Sequence, residues 1–352
     1  MKTAVLISGG VDSSVALRLL QEQGHDITAF YLKIWLEDEL AFLGNCPWEE
    51  DLAYVRAVCA EANVPLEIIS FQQEYHDEVV AYTLTEIKAG RTPNPDIFCN
   101  QRIKFGAFYK KIGNQFDHIA TGHYAQVRVV DGIYSLHAAP DLIKDQTYFL
   151  SHLSQEQLSR ALFPIGGYTK PQVRELAERF NLPNKARKDS QGICFLGKIK
   201  FSDFVKHHCG ITPGLLVEYE TDKIVGEHEG YWYYTVGQRQ GIGLSGGPWY
   251  VVCKNTEKNI VYISRQYYSP DKIRNSCELA ACHWIAGVVP QVERLEVKLR
   301  HGAQRYTCSL IQEAERVILK LDDRDQGIAP GQFAVFYRND ECLGGAMIVK
   351  VL

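Results

Sequence analysis

Thr3-Ala4-Val5-Leu6-Ile7-Ser8-Gly9-Gly10-Val11-Asp12-Ser13-Ser14 joins a short apolar run to a glycine-bearing turn, after which Val11, Val15 and Leu19 recur at helical spacing before Gly24. That is a strand, a tight turn and a helix. A ligand of such a unit binds at the carboxyl end of the strand, where the turn lies. Two adjacent glycines let the backbone approach an anion without Cβ interference, and the hydroxyls of Ser8, Ser13 and Ser14, the amides and the helix dipole can surround a pyrophosphate. Asp12 can hold Mg2+ beside it. The stretch is not G-x-x-x-x-G-K-[ST], so it is no Walker loop. Ser-Gly-Gly alone also reads as a plain turn and Asp12 as a helix cap, although capping needs no pair of glycines.

The alternation continues outward from this unit. Ile27 to Ile34 reads as a strand, Glu49 to Ala62 as an amphipathic helix, Leu66 to Phe71 as a strand and His76 to Ala89 as a helix stopped by Gly90. After a Pro-containing loop, Ile103 to Ile112 reads as a helix and His118 to Thr121 as a buried strand. Such a chain predicts a parallel sheet with helices on both faces. From about Leu215 the pattern changes to short β-branched and aromatic runs divided by Gly, Asn and Asp. Expected strands there are Tyr231 to Val236, Trp249 to Cys253, Ile260 to Ser264, Leu295 to Leu299, Thr307 to Gln312, Val317 to Leu321 and Ala334 to Tyr337. The expected division is 1–205, 206–270 and 271–352, the first boundary resting on the change of pattern and the second on the loop composition of Tyr267 to Asn275.

Composition narrows the class. A chain of 352 residues exceeds one hydrophobic core, and 46% hydrophobic with 23% charged residues is ordinary for a soluble protein. No apolar run is long enough for a membrane span, and MKTAVLIS lacks a long h-region or cleavage site, so a cytoplasmic protein is expected. None of the ten cysteines forms a C-x-x-C pair, and Cys277 with Cys282-His283 lacks a second ligand pair, so no structural zinc site is expected. The net charge of −4 argues against a generic nucleic-acid coat while leaving room for local patches. Arg102, Lys104, Lys110 and Lys111 form one cluster and Lys185, Arg187, Lys188, Lys198 and Lys200 another; both also read as solvated faces.

Two loops carry candidate thiols. In Gly90-Arg91-Thr92-Pro93-Asn94-Pro95-Asp96-Ile97-Phe98-Cys99-Asn100 two prolines stiffen the loop, and Asp96 is placed to cap the next helix with Cys99 in its first turn. A helix N-terminus with Arg102 and Lys104 nearby favours thiolate, while a buried Cys at an ordinary helix start is the plain alternative. Lys188-Asp189-Ser190-Gln191-Gly192-Ile193-Cys194-Phe195-Leu196-Gly197 is polar and glycine-bounded. Together the two supply what sulfur insertion requires, one thiol to carry a persulfide and one to release the product. Coincidence of two unrelated cysteines stays open on these residues alone.

The heptapeptide Ser8 to Ser14 resembles the PP-loop of the ATP pyrophosphatases, which adenylate a substrate and release pyrophosphate. With Asn94 to Cys99, Thr121-Gly122-His123-Tyr124, Lys144-Asp145-Gln146, the Cys194 loop, Thr235-Val236-Gly237-Gln238-Arg239 and Pro330-Gly331-Gln332, the chain resembles bacterial tRNA-specific 2-thiouridylases in order and over almost its whole length. The resemblance implies an α/β PP-loop catalytic domain, a small central tRNA-contacting domain and a C-terminal β-barrel. It implies an ATP site of Leu6, Ile7, Ser8, Gly9, Gly10, Val11, Asp12 and Ser13 completed by Leu32 and Gly122, with Mg2+ alongside. Leu32 stands where the family commonly has methionine, a swap of similar volume. Asn94, Pro95 and Asp96 would meet the target base, Cys99 would be the nucleophile and Cys194 the persulfide carrier.

Lys144, Asp145 and Gln146 would touch tRNA, as would Arg300 and His301. Arg300-His301-Gly302-Ala303 replaces an Arg-Tyr-Arg-like run, which removes an aromatic platform for a base. The implied reaction is adenylation of the C2 oxygen of the wobble uridine and its replacement by sulfur, fed by a cysteine desulfurase or a sulfur-relay carrier. Asp96 is the candidate for proton transfer, or a helix cap only. Two other readings are a ligase that adenylates a carboxylate, which needs no cysteine pair, and a noncatalytic tRNA-binding protein, against which intact Asp12, Cys99 and Cys194 speak.

Overall fold

The computed structural model describes residues 1–34, 48–112, 115–189, 200–272, 274–291, 294–313 and 316–352. Cys46 and the Cys194 loop from 190 to 199 lie outside the described residues.

The apolar run forms β1 (Lys2–Leu6), and Val11–Glu22 forms α1. They are followed by β2 (Asp26–Lys33), α2 (Trp48–Ala62), β3 (Leu66–Ser70), α3 (72–88), α4 (95–112) and β4 (His118–Ala120). β5 (Ala125–Val130), β6 (Ile133–Ala138), α5 (Thr147–Leu150), α6 (Gln155–Arg160), β7 (Ala161–Leu162), α7 (Lys170–Arg179) and α8 (Phe201–Cys209) complete the first half. The sheet runs β3-β2-β1-β4-β7 with every pairing parallel.

Side chains alternate along a strand, so β1 feeds two cores. Ala4 and Leu6 join Phe30 and the residues of α3 and α4, while Val5 and Ile7 join Ala29, Tyr31 and the apolar stripes of α1, α2 and α7. A strand buried on both faces reads as a near-continuous apolar run, which Ala4 to Ile7 shows, with the buried Thr3 hydroxyl hydrogen-bonded to His25. β1 lies between β2 and β4, so the winding reverses there and opens a crevice above the carboxyl ends of these strands.

α3 and α4 begin earlier than the apolar periodicity indicates, at Gln72 and Pro95: the first turn of α3 is polar, and α4 opens on a proline that reads as part of the preceding loop. Each contains a widened π-type stretch, His76–Val80 and Cys99–Ala107. Asn94 is the N-cap of α4 and Pro95 starts the helix, so Asp96 sits inside the first turn and is not the cap that the loop reading gave it. Proline's fixed φ is what sets this start.

The central sheet is ordered β10-β11-β8-β9, from β8 (Gly214–Glu218), β9 (Ile224–His228), β10 (Tyr250–Asn255) and β11 (Ile260–Ser264). Tyr231 to Val236, expected as a strand, instead begins with the tight turn Tyr231–Tyr233. Its rings anchor rather than alternate: Tyr231 Oη donates to the Lys88 carbonyl at 2.5 Å and Tyr233 Oη to the Gly210 carbonyl at 2.7 Å.

β12 (Ser276–Trp284), β13 (Leu295–Lys298), β14 (Tyr306–Glu313), β15 (Arg316–Leu321), β16 (Phe333–Arg338) and β17 (Glu341–Val351) form the last sheet. In the order β12-β15-β14-β13-β16-β17 it closes, because β17 pairs back onto β12. A closed barrel leaves no edge among its own strands. β17 also pairs with β6, so the β5–β6 hairpin of the first half extends the barrel's sheet. The hairpin turn is Asp131-Gly132, both at positive φ.

Four contacts are among those that, with the β6–β17 pairing, bolt the barrel to the α/β half. Thr92 N donates to the Pro330 carbonyl at 2.8 Å, Gln332 Nε2 to the Thr92 carbonyl at 3.2 Å, and Tyr148 Oη to the Phe333 carbonyl at 3.1 Å. The fourth is a buried ion pair between Lys298 Nζ and Asp145 Oδ2 at 2.7 Å, each residue 1% exposed. No helix among the described residues is long and apolar enough to cross a membrane.

Candidate active site

The turn after β1 is a cage of short bonds. Ser8 N donates to Ser13 Oγ at 3.2 Å, and Ser13 and Ser14 each donate a hydroxyl to the Gly10 carbonyl at 3.0 Å. Gly9 adopts φ +79°, and a Cβ there would fall 2.7 Å from the Asp51 carbonyl oxygen. Asn184 Nδ2 donates to the Gly9 carbonyl at 2.8 Å and to Ser14 Oγ at 2.9 Å, while Arg187 bridges the same carbonyl and Asp51. Gly122, just beyond β4, is equally tight: a Cβ would sit 2.6 Å from Ser13 N. Leu32 is half-buried near the carboxyl end of β2 and packs on the same core as Leu6. Leu6 to Ser13 and Gly122 thus meet in the crevice at the winding reversal.

Asp12 is the carboxylate of this turn. Lys170 Nζ lies 2.7 and 3.0 Å from its two oxygens, and Tyr124 Oη donates to it at 3.0 Å. Lys170 also reaches Asp189 Oδ1 at 2.7 Å, and Asp189 accepts from Lys144 at 2.7 Å and Arg174 at 2.6 Å. Partial burial works against ionising Asp189, but hydrogen bonds from Lys144 and Lys170 and their charge hold its carboxyl well below the usual range. Burial, then the charge of Asp12, pushes the Tyr124 phenol well up, so it stays a donor. Asp12 is half-exposed, and its carboxylate, held by the Lys170 ammonium and the Tyr124 hydroxyl, is a hard oxygen donor that fits a divalent cation keeping most of its coordination for phosphate and water.

Lys144, Asp145 and Gln146 point three ways. Lys144 goes to Asp189, Asp145 into the barrel against Lys298, and Gln146 back to Tyr124, whose amide donates to Gln146 Oε1 at 3.0 Å. Asp145 also accepts from the Thr147 hydroxyl at 2.8 Å and the Thr147 amide at 3.2 Å, so the side chain expected to touch tRNA is wholly committed inside the protein.

A second cluster gathers around the start of α4. Asn94 and Pro95 are buried and Asp96 is half-buried. The barrel brings His301 to this place, its ring 4.7 Å from that of Phe149. Burial and the charge of Lys298 lower the His301 pKa, with Asp145 and Asp96 opposing, which puts His301 in electrostatic reach of both carboxylates. Arg300 pairs with Asp325 and packs on Gly327, where a Cβ would meet its guanidinium. Cys99 is buried at 1% in a core with Tyr148, Leu150 and Phe333. Arg102 is occupied by Glu78 and by the Phe98 ring, 4.0 Å from its centroid, and Lys104 donates to Asn100 at 2.9 Å.

Three family models match in sequence: the tRNA methyl transferase HUP domain over residues 1–198, the tRNA methyl transferase PRC-barrel domain over 202–265 and the aminomethyltransferase beta-barrel domain over 274–348. The chain is 43% identical over 356 residues to the tRNA-specific 2-thiouridylase MnmA of Parabacteroides distasonis, covering 99% of each chain. It belongs to the tRNA-specific 2-thiouridylase family. A relative of the same name from Porphyromonas gingivalis is 42% identical over 361 residues, and MnmA 1 of Bacteroides thetaiotaomicron 43% over 357.

Within this 2-thiouridylase fold, the positions expected at the nucleotide converge, and those expected at the base stand at the start of α4, which packs on α5 directly after 144–146. Sequence reasoning missed Lys170, Asn184 and Tyr124 as members of the nucleotide cluster. Thr169-Lys170-Pro171 carried a helix-start signal, and the structure shows a capping box there, but nothing local says that the lysine reaches Asp12.

Proposed function

We propose that this protein is an ATP-dependent tRNA 2-thiouridylase that converts the wobble uridine to 2-thiouridine. The observation that carries the reading is a glycine-bearing anion cradle, Ser8 to Ser14 with Asp12, joined through Tyr124 and Gln146 to α5, on which the start of α4 packs and to whose Phe149 carbonyl Asn100 Nδ2 donates at 3.2 Å. The uridine C2 oxygen is a poor leaving group. Transfer of AMP makes it a good one, and the amides and hydroxyls of the Ser8 to Ser14 turn stabilise charge on the departing pyrophosphate. Leu6, Ile7, Ser8, Gly9, Gly10, Val11, Asp12, Ser13, Leu32 and Gly122 hold the nucleotide, with Asp12 the ligand for Mg2+, which neutralises phosphate charge when bound.

Asn94, Pro95 and Asp96 meet the base, and Asp96 takes up the N3 proton that uracil must lose on adenylation. The terminal sulfur of a Cys194 persulfide attacks C2 and the C2–O bond breaks as AMP leaves. Cys99 thiolate then attacks Cys194 Sγ, the sulfur–sulfur bond breaks, and the transferred sulfur stays on C2. The two electrons come from the thiols, which end as a Cys99–Cys194 disulfide for an external dithiol to reduce. Lys144, Gln146, Arg300 and His301 face the tRNA, whose anticodon loop offers an unstacked base cheaply. The donor is a cysteine desulfurase or a relay carrier, the setting is the cytoplasm, and the working division of the chain is 1–205, 206–270 and 271–352.

Nucleoside analysis of tRNA incubated with enzyme, ATP, Mg2+ and a persulfide source tests this: 2-thiouridine at the wobble position is expected, and unmodified tRNA would reject the reading. Cys194→Ser is expected to abolish product while ATP–pyrophosphate exchange with bound tRNA persists; normal product from that variant removes Cys194 from the scheme. Methyl transfer, named in the descriptions of two matched domains, needs neither a pyrophosphate cradle nor a thiol pair, and a methylated nucleoside in the same assay would favour it.

A further inference from the structure

The Ser8 to Ser14 turn offers hydroxyls, amides and one carboxylate but no basic side chain. A triphosphate is strongly anionic, and loops of the Walker type meet it with a lysine of their own. Here the cation must come from elsewhere in the fold.

Lys170 is brought there by α7. It is the first residue of that helix, fixed by the Thr169 capping box and by its own amide, which donates to Asp141 Oδ2 at 3.0 Å. Its side chain is 13% exposed, and its ammonium bridges Asp12 and Asp189 at 2.7 Å each. The neighbouring cations have other tasks: Arg187 holds Asp51 and the Gly9 carbonyl, and Lys144 and Arg174 hold Asp189. Among the described residues, Lys170 is the one cation hydrogen-bonded to a side chain of the turn.

We propose that Lys170 is a catalytic residue of the adenylation step: its ammonium contacts the β- and γ-phosphates of ATP and stabilises pyrophosphate as it departs, and Asp12 with Asp189 holds it ready before nucleotide binds. This rests on the 2-thiouridylase reading. The flexible four-carbon stem carries a point charge that needs only a short swing from Asp189 toward the crevice. In the step, the bond from uridine O2 to the α-phosphorus forms and the bond from that phosphorus to the bridging oxygen breaks. The electron pair leaves on pyrophosphate, the N3 proton of uracil is released, and Lys170 keeps its proton and donates a hydrogen bond throughout.

A lysine that merely neutralised two carboxylates would behave differently, and binding separates the cases. Equilibrium binding of ATP, AMP and pyrophosphate to the full chain with Mg2+ is compared for wild type, Lys170→Gln, Lys170→Arg and Lys170→Gln/Asp189→Asn. Lys170→Gln is expected to weaken ATP and pyrophosphate roughly tenfold or more while changing AMP less than about twofold, as loss of one charged hydrogen bond predicts. Lys170→Arg is expected to recover part of the pyrophosphate affinity.

The double variant removes one of the two carboxylates that Lys170 bridges, the one that keeps Lys144 and Arg174 beside it, so recovery of ATP affinity there would mean that Lys170 only balances Asp189 and would overturn the proposal. Equal weakening of AMP and ATP, or unchanged pyrophosphate binding, would overturn it as well. A wild-type enzyme that binds ATP over AMP but makes no thiouridine would instead sink the functional reading and leave the Lys170 contact standing.

Discussion

Lys298→Met tests how the barrel is fastened to the α/β half. Lys298 and Asp145 side chains are 2% and 0% exposed and 2.7 Å apart, so removing the ammonium strands a carboxylate in the interior. Breaking a buried pair from one side costs about 3–5 kcal/mol. Asp145 keeps its bonds from Thr147, which places the expected loss at the lower end, about 3 kcal/mol. Adding Asp145→Asn removes the stranded charge and still leaves an oxygen for the Thr147 amide, so the double variant should recover about 2 kcal/mol of that loss. Urea unfolding of the full chain, followed by tryptophan fluorescence, reads both numbers. A Lys298→Met loss under about 1 kcal/mol, or a double variant as unstable as the sum of the singles, would refute the argument that the pair is desolvated and coupled. Asp145→Asn with unchanged stability but weakened tRNA binding would return Asp145 to the role that the family resemblance gave it.

Two further outcomes follow from buried groups. Burial, then the charge of His283 and Arg102, pushes His152 down to about 3, whereas an unfolded histidine takes its proton near 6.5. Between those values the unfolded chain binds the extra proton, so His152 makes stability fall as pH falls, by about 1.4 kcal/mol per unit. Denaturation curves from pH 7.5 to 4.5 should flatten in His152→Gln, and an unchanged slope would reject the assignment. Gly331 has φ +89°, and a Cβ there would lie 2.7 Å from the Thr92 carbonyl oxygen and 2.8 Å from its amide. Gly331→Ala is expected to cost about 1–3 kcal/mol and to raise amide exchange across 91–96, since strain and a forced backbone shift add; protection equal to wild type would contradict the contact.

The nucleotide end of the molecule was legible because its signals are local. An apolar strand, two glycines and a helical stripe are contiguous from Thr3 to Leu19, and the observed strand and helix follow them within a residue or so. Elsewhere the same kind of reading failed for identifiable reasons. The β5–β6 hairpin carries an Asp131-Gly132 turn, yet Val129, Val130 and Ile133 stay at least half exposed, so no buried face announced it. β17 contains Gly344-Gly345, which reads as a break; in the fold Gly344 passes so close to the His283 carbonyl that no Cβ fits. The aromatic run from Tyr231 looked like a strand because propensity cannot tell a packed ladder from rings used as anchors. The members of the nucleotide cluster that went unread, Lys170 and Asn184, are more than 150 residues from their partners, a proximity created only when α7 folds back onto α1. The pairing of Cys99 with Cys194 falls outside the described residues.

The hairpin laid on the barrel ties two parts of the chain that stand far apart in sequence. Leu136 and His137 pair with Cys342 and Glu341, Ala138 N donates to the Asp340 carbonyl at 2.7 Å, and Arg128 reaches the Asp340 carboxylate at 2.8 Å. A C-terminal fragment released by cutting before the barrel would bare the side of β17 that β6 now covers, and an uncovered strand edge invites pairing with other chains. Evolution or engineering that swaps barrels among such enzymes therefore has to exchange the 125–138 ribbon with them, or accept a product prone to clump.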